Sequence, residues 1–553
     1  MLPSLPLQDA LAVTCAILVY VLWRLYKRWS FVYRSPLRNL PGPPSPSWLY
    51  GNMKEVFTTD GHAVPDKWFA QYGRTYVDHG FGMTPQLWTL DLRAIHHILT
   101  HSMDYGVPED NVKTVGELLG KGMVAAGSCL YGISYRVMVG EQHRQQRRIM
   151  NPAFGPGQIR DLTPVFLQKA QELSRVWSRA VQNGPARLDV SGDFSKMTLD
   201  IIGLAGFGYD FQALNDGGKP NEFSVAFKEF SSNVARIPRH MRYLWPFLKP
   251  FPIESIRRVQ RVAATIRRIS AQLLQERKAA ILREKEAEHP DGVQSTDLQG
   301  RDLLTLLIKA NMAKDVPENQ RLSDEDVVGQ VPTFLMAGHE TTSIALSWAL
   351  FALSKNPSIQ HKLREELLAV PTDTPSMEEL SALPYLDMVV RETLRLHAPV
   401  AMRMREAKRD DVIPVSEPFT DRYGRVQNEI RIAKGNLVML PILALHRSKE
   451  IWGDDALEFR PERWEQPPEV SADIPGIWGH LLSFLGGPRA CIGYRFSLTE
   501  TKAALFTLLR AFEFELAVPP EHVMTRTAPL QRPFLRGEER PQLPLIVKPY
   551  RAL

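Results

Sequence analysis

The chain is predicted to be mainly α-helical with small β-sheets, one large globular domain behind a single N-terminal transmembrane helix. Three observations predict this. Long segments repeat apolar residues at helical spacing, strand-like runs are few and short, and one apolar run near the N-terminus is followed by basic and aromatic residues. The composition, 44% hydrophobic and 23% charged over 553 residues, is that of a globular protein with a large core. The three cysteines, Cys15, Cys129 and Cys491, cannot build a disulfide framework, so the bulk of the chain reads as resident in a reducing compartment. A formal charge of +6 suits an anionic membrane surface or an acidic protein partner. No zinc-finger spacing, basic-zipper heptad or RNA-binding aromatic motif is present, so nucleic acid is not an expected partner.

Taken in order, residues 1–6 are expected to be a short lumenal tail and residues 7–23 (LQDALAVTCAILVYVLW) the membrane anchor. The run is short for a span, since the hydrocarbon core needs ~20 residues at 1.5 Å each, but its flanks can extend it. Arg24, Lys27, Arg28 and Arg34 alternate with Tyr26, Trp29 and Tyr33, which predicts that this side faces the cytosol. A cleaved signal peptide is disfavoured, because no basic region precedes the run and no small-residue cleavage site follows it. Residues 24–52 read as a linker ending in LPGPPSPSWLYGN, whose four prolines make a stiff spacer. Residues 53–553 form the expected catalytic domain. Helices are expected over Ser323–Lys355, opened by the SDED cap, over Asn356–Val370, over Pro384–His397 and from Arg495 through Leu516. Thr75–Asp78 and Leu437–Leu440 are expected strands. There is no internal repeat. No Gly-rich nucleotide loop follows a strand, so any flavin or nicotinamide must sit on another protein.

The chemistry concentrates in FLGGPRACIG, Phe484 to Gly493. Cys15 lies in the anchor and Cys129 among small and polar residues, whereas Cys491 is flanked by Gly486, Gly487 and Pro488 before it and Gly493 after it. A thiolate accepting backbone N–H bonds in such a loop is stabilised as an anion, and the following helix N-terminus should lower its pKa. The glycines allow close approach of a flat ligand, and Arg489 can pair with a carboxylate on it. One thiolate with no second Cys or His nearby fits haem better than zinc.

These residues carry a resemblance. Phe484, Gly487, Arg489, Cys491 and Gly493 fill the F-x-x-G-x-R-x-C-x-G signature of the cytochrome P-450 family, the haem-thiolate monooxygenases. The resemblance spans roughly Leu40 to Val547 and is most like fungal microsomal members. It implies the cytochrome P-450 fold, haem b with Cys491 as its axial iron ligand, and dioxygen as co-substrate. In the family, an E-x-x-R pair is buried beneath the haem and completed by an arginine of a P-E-R motif. Glu392, Arg395 and Arg463 stand there, otherwise readable as a helix-surface ion pair and a stray cation. AGHETTS, Ala337 to Ser343, resembles the distal haem-pocket run. Ala337 and Gly338 would face the ring, while Glu340 and Thr341 would deliver protons to bound dioxygen. The Thr341 hydroxyl can turn onto a backbone carbonyl one turn back, and Pro332 should kink this helix upstream. His143, Arg147 and Arg405 match positions that reach haem propionates; Arg144 and Arg148 are either a solvated face or part of a docking surface for an acidic flavoprotein.

The resemblance further implies electrons from NADPH through a separate flavoprotein reductase, with cytochrome b5 as a second donor, a lipophilic substrate, and a single-pass protein of the endoplasmic reticulum membrane. Specialised metabolism of a terpenoid type is the expected setting. Pocket lining is expected from the loop near Cys129, Phe334, Ala337, Val400–Met402 and Thr527–Leu530. GSCLYGISYRVM, between Gly120–Ala126 and Val139–His143, departs from the family, where these blocks are almost adjacent; it is either a longer loop over the pocket or a gene-model error. MRYLWPFLKPFP, Met241–Pro252, is either a roof loop dipping into the bilayer or a buried connection. Two rivals keep the haem: an isomerase or dehydratase acting on a peroxide without a reductase, and a haem-binding sensor. The first has no use for Glu340 and Thr341.

Overall fold

The computed structural model describes residues 7–58, 63–108, 135–215, 254–288, 302–312, 321–525 and 530–550, with residues 222, 225, 226 and 229 between them. The loop near Cys129, most of GSCLYGISYRVM, Met241–Pro252 and Thr527–Pro529 lie outside the described residues. Tyr135–Met138, the end of the departing segment, form the first turn of a helix.

The principal helices are α1 (Leu7–Arg34), α2 (Leu92–Thr100), α3 (Tyr135–Met150), α4 (Pro156–Ala180), α5 (Val190–Phe207), α6 (Glu254–Glu288), α7 (Asp324–Lys355), α8 (Pro357–Leu368), α9 (Pro384–Leu396) and α10 (Tyr494–Ala511). The strands are β1 (Thr75–His79), β2 (Pro85–Thr89), β3 (Tyr105–Gly106), β4 (Ala186–Asp189), β5 (Arg403–Ala407), β6 (Asp411–Thr420), β7 (Val426–Ile432), β8 (Leu437–Leu440), β9 (Phe512–Leu516), β10 (Val523–Thr525), β11 (Pro533–Leu535) and β12 (Pro544–Pro549). One sheet has the order β1-β2-β8-β5-β3, with β2 and β8 parallel and the other pairs antiparallel; a second has the order β4-β12-β9. The mainly helical architecture with small sheets follows the sequence expectation.

Helix α7 is the axle of the domain, packed on α5 and α10. Its start is set by a capping box. The Ser323 hydroxyl accepts from Asp326 N at 3.1 Å, and the Asp326 carboxylate reaches back to Ser323 N at 3.3 Å. Beyond the first turn nearly every side chain is buried, so the helix is apolar on all sides rather than on one stripe. It runs unbroken through Pro332. Gly338 lets α5 come close, since a Cβ there would stand 3.1 Å from Ile202 Cδ1. The Thr198 hydroxyl, on α5, donates to His339 O at 3.1 Å across the same contact.

Two sequence expectations are corrected. The run after Tyr494 is not one helix: α10 stops at Ala511 and FEFEL forms β9, with Phe512 and Phe514 buried and Glu513 and Glu515 exposed. Strict alternation favours a strand once β12 supplies a partner for its ladder. The proline-rich stretch is not a free spacer. Leu37 and Leu40 are buried, Val77 N donates to Pro41 O at 2.9 Å, and a Cβ on Gly42 would collide with Val77 O. Among the described residues no helix is long and apolar enough to cross a membrane. The apolar run of α1 is diluted by Gln8, Asp9 and Thr14 on one side and by its basic second half on the other. That second half is docked: Arg28 donates to Phe81 O at 2.6 Å and Gly82 O at 2.9 Å. Ser35 Oγ donates to Asn436 Oδ1 at 2.9 Å.

Candidate active site

The Cys491 loop is built by backbone bonds. Cys491 N donates to Phe484 O at 2.8 Å, and Ala490 N donates to Gly487 O at 3.1 Å. Phe484 is buried edge-on against Trp478. Gly487 has φ +69°, a left-handed conformation that favours glycine, and a Cβ there would meet Leu99 O at 2.4 Å. A Cβ on Gly486 would meet Pro475 O at 1.7 Å. These glycines therefore let the loop pack closely on α2 and on Pro475. Gly493 is the residue before α10, and its N–H bonds the Cys491 sulfur. The expected lowering of the thiol pKa is also corrected. Burial pushes it up, against the opposing Gly493 N–H and the positive charges of Arg147 and Arg403. A metal bound to the sulfur would deprotonate it outright.

Around the sulfur stands a ring of cations. Arg147 donates to Ala490 O, tying α3 to the Cys491 loop. Arg405 is buried at 5% exposure, and among the described residues its guanidinium bonds only Met404 O, at 3.0 Å. Its pKa is lowered to about 9 by burial and by repulsion from Arg403 and Arg489. His143, also buried, has its pKa lowered to about 3 by burial, Arg489 and Arg147, so its ring is neutral at physiological pH. Arg489 is held below its ordinary value by burial. The structure thus brings His143, Arg147, Arg405, Arg489 and Cys491 together, from α3, β5 and the Cys491 loop. None of these arginines is ion-paired to a carboxylate among the described residues. The buried Arg405 guanidinium, repelled by the half-buried Arg489 and the exposed Arg403 beside a thiol, calls for an anion that the described residues do not supply. A flat ligand with carboxylates on one edge and a thiolate-binding metal at its centre, such as haem, matches this donor set. No group of three His, Cys, Asp or Glu that could hold a bare metal ion occurs among the described residues.

The reading from sequence missed Arg403. Its signal is strand period: Arg403 and Arg405 are two apart on β5 and share a face.

The middle of α7 carries the acid–alcohol run. Ala337 is exposed and Thr341 half-buried within a helix otherwise buried there, so this short face looks onto an opening. Gly338 is turned to Ile202 instead, a correction to its expected place at a ring. The Thr341 hydroxyl donates to Ala337 O at 2.6 Å, back along the helix. Glu340 is buried and ion-paired: Arg532 Nη2 lies 2.6 Å from its Oε2. Among the expected pocket walls, Val400, Met402 and Leu530 are half-buried, while Phe334 is buried edge-on against Phe154.

Below the loop lies the charged lock. Arg395 donates to both oxygens of Glu392 at 2.8 Å, and both side chains are fully buried. Arg463 reaches Glu392 at 3.5 Å but makes its shorter pair with Asp455, at 2.8 Å. Glu392 also accepts from Arg460 N at 3.0 Å and Trp464 Nε1 at 3.1 Å. Arg395 donates to the carbonyls of His446, Ala456 and Glu458. His446 Nε2 in turn accepts from Leu482 N at 2.8 Å, and Ser483 Oγ donates to Leu394 O at 2.7 Å. The lock is thus coupled to the chain that enters the Cys491 loop.

A further acid was not anticipated. Glu500 on α10 is 1% exposed, and neither carboxyl oxygen meets a hydrogen-bond partner among the described residues. Burial pushes its carboxyl well above the usual range, opposed by the nearby Thr342 hydroxyl, which shares a 3.0 Å bond with Ser497. The native state keeps a proton that the unfolded chain loses above about pH 4.5, so this group subtracts stability as pH rises from there. Glu500→Gln cannot titrate. Its stability relative to wild type is expected to grow by ~1.4 kcal/mol per pH unit above that point, until the folded-state pKa is passed, as read by denaturant melts at several pH values.

Comparison with known proteins places these features in context. The cytochrome P-450 family profile matches residues 41–543. Cytochrome P-450 monooxygenase 205 of Postia placenta is 50% identical over 543 residues, covering 97% of each chain. Monooxygenase 128 of the same fungus is 48% identical over 537 residues, covering 95% of this chain and 96% of that one. A ganoderic acid synthetase of Ganoderma lucidum is 33% identical over 577 residues, covering 98% and 99%.

Proposed function

From the premise that this chain belongs to the cytochrome P-450 family of monooxygenases, we propose that it holds haem b through the Cys491 thiolate and oxygenates a lipophilic small molecule by hydroxylation or epoxidation. The observation that carries the proposal is the convergence of one thiol with four arginines that lack carboxylate partners among the described residues. When bound, haem would supply dioxygen activation and insertion of one oxygen atom into a C–H or C=C bond, with electrons from NADPH through a separate flavoprotein.

The chain's own residues do the rest. Arg147, Arg403, Arg405 and Arg489 would pair with the carboxylates on the ligand's edge, and neutral His143 would donate a hydrogen bond there. Glu340 and Thr341 would pass protons into the pocket. The acid and alcohol speak against the peroxide isomerase and the sensor, which consume no protons from solvent. Glu392, Arg395 and Arg463 hold the loop and take no part in the chemistry.

Exposed Arg144 and Arg148 on α3 offer positive charge to an acidic reductase, with cytochrome b5 as a second donor at the same kind of surface. Exposed Leu18, Val19, Leu22, Trp23 and Trp29 on α1 support anchoring in the endoplasmic reticulum membrane, with the catalytic domain on the cytosolic side. The relative named ganoderic acid synthetase supports a role in specialised, terpenoid-type metabolism.

The test is co-expression with a reductase in a haem-competent host fed a panel of lipophilic compounds. Mass spectrometry should find a product heavier by one oxygen atom, labelled from isotopic dioxygen and dependent on NADPH. Conversion without NADPH would favour the isomerase. Thr341→Ala should keep its haem while product formation falls by ~10²-fold and NADPH oxidation continues, the electrons going to peroxide or water. Full coupling in that variant would remove Thr341 from proton delivery.

A further inference from the structure

Four arginines gather at the sulfur, but haem b brings only a pair of carboxylates, and Arg147, Arg405 and Arg489 already outnumber them. The charge left over falls on Arg403. Arg405 is buried and Arg489 half-buried, whereas Arg403 is exposed. That exposure is not to the outer surface, since burial lowers the pKa of Arg403, with the nearby Cys491 sulfur opposing. Cys491 shows the same combination, an exposed side chain whose pKa burial shifts. Both therefore face an enclosed space that water can enter. Arg403 makes no hydrogen bond and no ion pair to a carboxylate among the described residues. The carboxylates at hand are taken: Glu406 pairs with Lys408 at 2.9 Å and Glu340 with Arg532 at 2.6 Å.

The guanidinium hangs from a fixed backbone. Arg403 opens β5, in register with Leu440 of β8. The residues just before it are the expected pocket wall. Leu443 N donates to Ala401 O at 3.0 Å, and Gln531 N donates to Pro399 O at 2.9 Å, which brings Leu530 to the same wall. Val400, Met402 and Leu530 are apolar and half-buried. One cation thus stands at the end of an apolar wall. A neutral lipophile filling this space would strip water from a guanidinium and give nothing in return, which is costly for a charge. A lipophile that carries its own carboxylate would meet the planar fork of arginine in two parallel bonds.

We propose that Arg403 is a specificity-determining residue: its guanidinium receives a carboxylate of the substrate, so that the molecule oxygenated here is a lipophilic carboxylic acid held by its acid end at the start of β5. The inference rests on the reading of this site as an oxygenase pocket for a lipophile, and it names the chemical class of that lipophile.

The experiment uses the full-chain holoenzyme and the variants Arg403→Leu, Arg403→Lys and Arg405→Leu, with Arg403→Gln repeating the test should the leucine variant not fold. The probes are palmitic, abietic and ursolic acids, each beside its methyl ester, at neutral pH where the acids are ionised. Equilibrium dialysis reads binding without turnover. At least one acid should bind wild type about 10- to 100-fold more tightly than its ester. Arg403→Leu should abolish that preference by weakening the acid and not the ester, and Arg403→Lys should keep most of it. Haem per polypeptide should fall further in Arg405→Leu than in Arg403→Leu. No preference for acid over ester in any pair overturns the proposal, as does a preference that survives in Arg403→Leu. An equal loss of haem from Arg403→Leu and Arg405→Leu overturns it too, because Arg403 would then be spent on haem. If an acid binds through Arg403 but is never oxygenated with NADPH and a reductase, the anion site stands and it is the oxygenase reading that fails.

Discussion

Cys491→Ala is expected to fold, to lose the thiolate signature of its haem and to turn over nothing. Folding should survive because the loop is held by contacts that do not involve the sulfur. Cys491 N bonds Phe484 O, Ala490 O accepts from Arg147, and Gly486 and Gly487 are wedged against Pro475 and Leu99. Alanine keeps every one of these. What it removes is the only side chain in the loop that could bind a soft or borderline metal, and with it the electron density that a thiolate would lend to a bound haem. The cation ring remains, so some haem can still enter, held by its carboxylates alone. The check is the carbon-monoxide difference spectrum of the reduced protein, beside a thermal melt and haem content. A thiolate-type spectrum in the alanine variant would refute the assignment of Cys491. An unfolded variant would show instead that the sulfur contributes packing the structure does not reveal.

Glu392→Ala is expected to fail earlier, at folding. It leaves Arg395 fully buried with no counter-charge and deprives Arg463 of one of its two partners. Breaking one partner out of a buried ion pair costs about 3–5 kcal/mol, a large part of the ~5–15 kcal/mol that holds a domain together. Glu392→Gln should do almost as badly, although it has the same shape. Both Glu392 oxygens accept: one from Arg395, Arg463 and Arg460 N, the other from Arg395 and Trp464. An amide offers one oxygen and turns two N–H donors on the rest. Replacing Glu392 and Arg395 together by leucine should recover only part of the loss, because the carbonyls of His446, Ala456 and Glu458 would be stranded without the guanidinium. Denaturant melts and haem per polypeptide measure both effects. Haem retention at wild-type levels in Glu392→Ala would show that the lock is not needed to present the Cys491 loop.

Much of the site was legible because its chemistry is local in sequence. The Cys491 motif, the E-x-x-R pair and the acid–alcohol pair each fit within ten residues or fewer, and helical period alone put Glu392 beside Arg395. The capping box at Ser323 and the strand at Leu437–Leu440 were likewise readable from neighbours in the chain. The misreadings share the opposite character. FEFEL looks like the tail of a helix until β12 pairs with it, and Gly338 looks like a seat for a ring until Ile202 arrives from α5.

By itself, then, the sequence determined the family and the mainly helical class, and it pointed to the thiol, three of the arginines near it and the charged lock, because short-range patterns suffice for these. Only the tertiary structure decided what surrounds them. It paired Glu340 with Arg532 from 192 residues away, left the Glu500 carboxyl buried with no hydrogen-bond partner among the described residues, and gathered Arg403 with Arg147, Arg405 and Arg489 around Cys491. Those outcomes depend on which distant segments share a low-dielectric space, and the cost of burying a charge there is set by its neighbours in space, which no local pattern encodes.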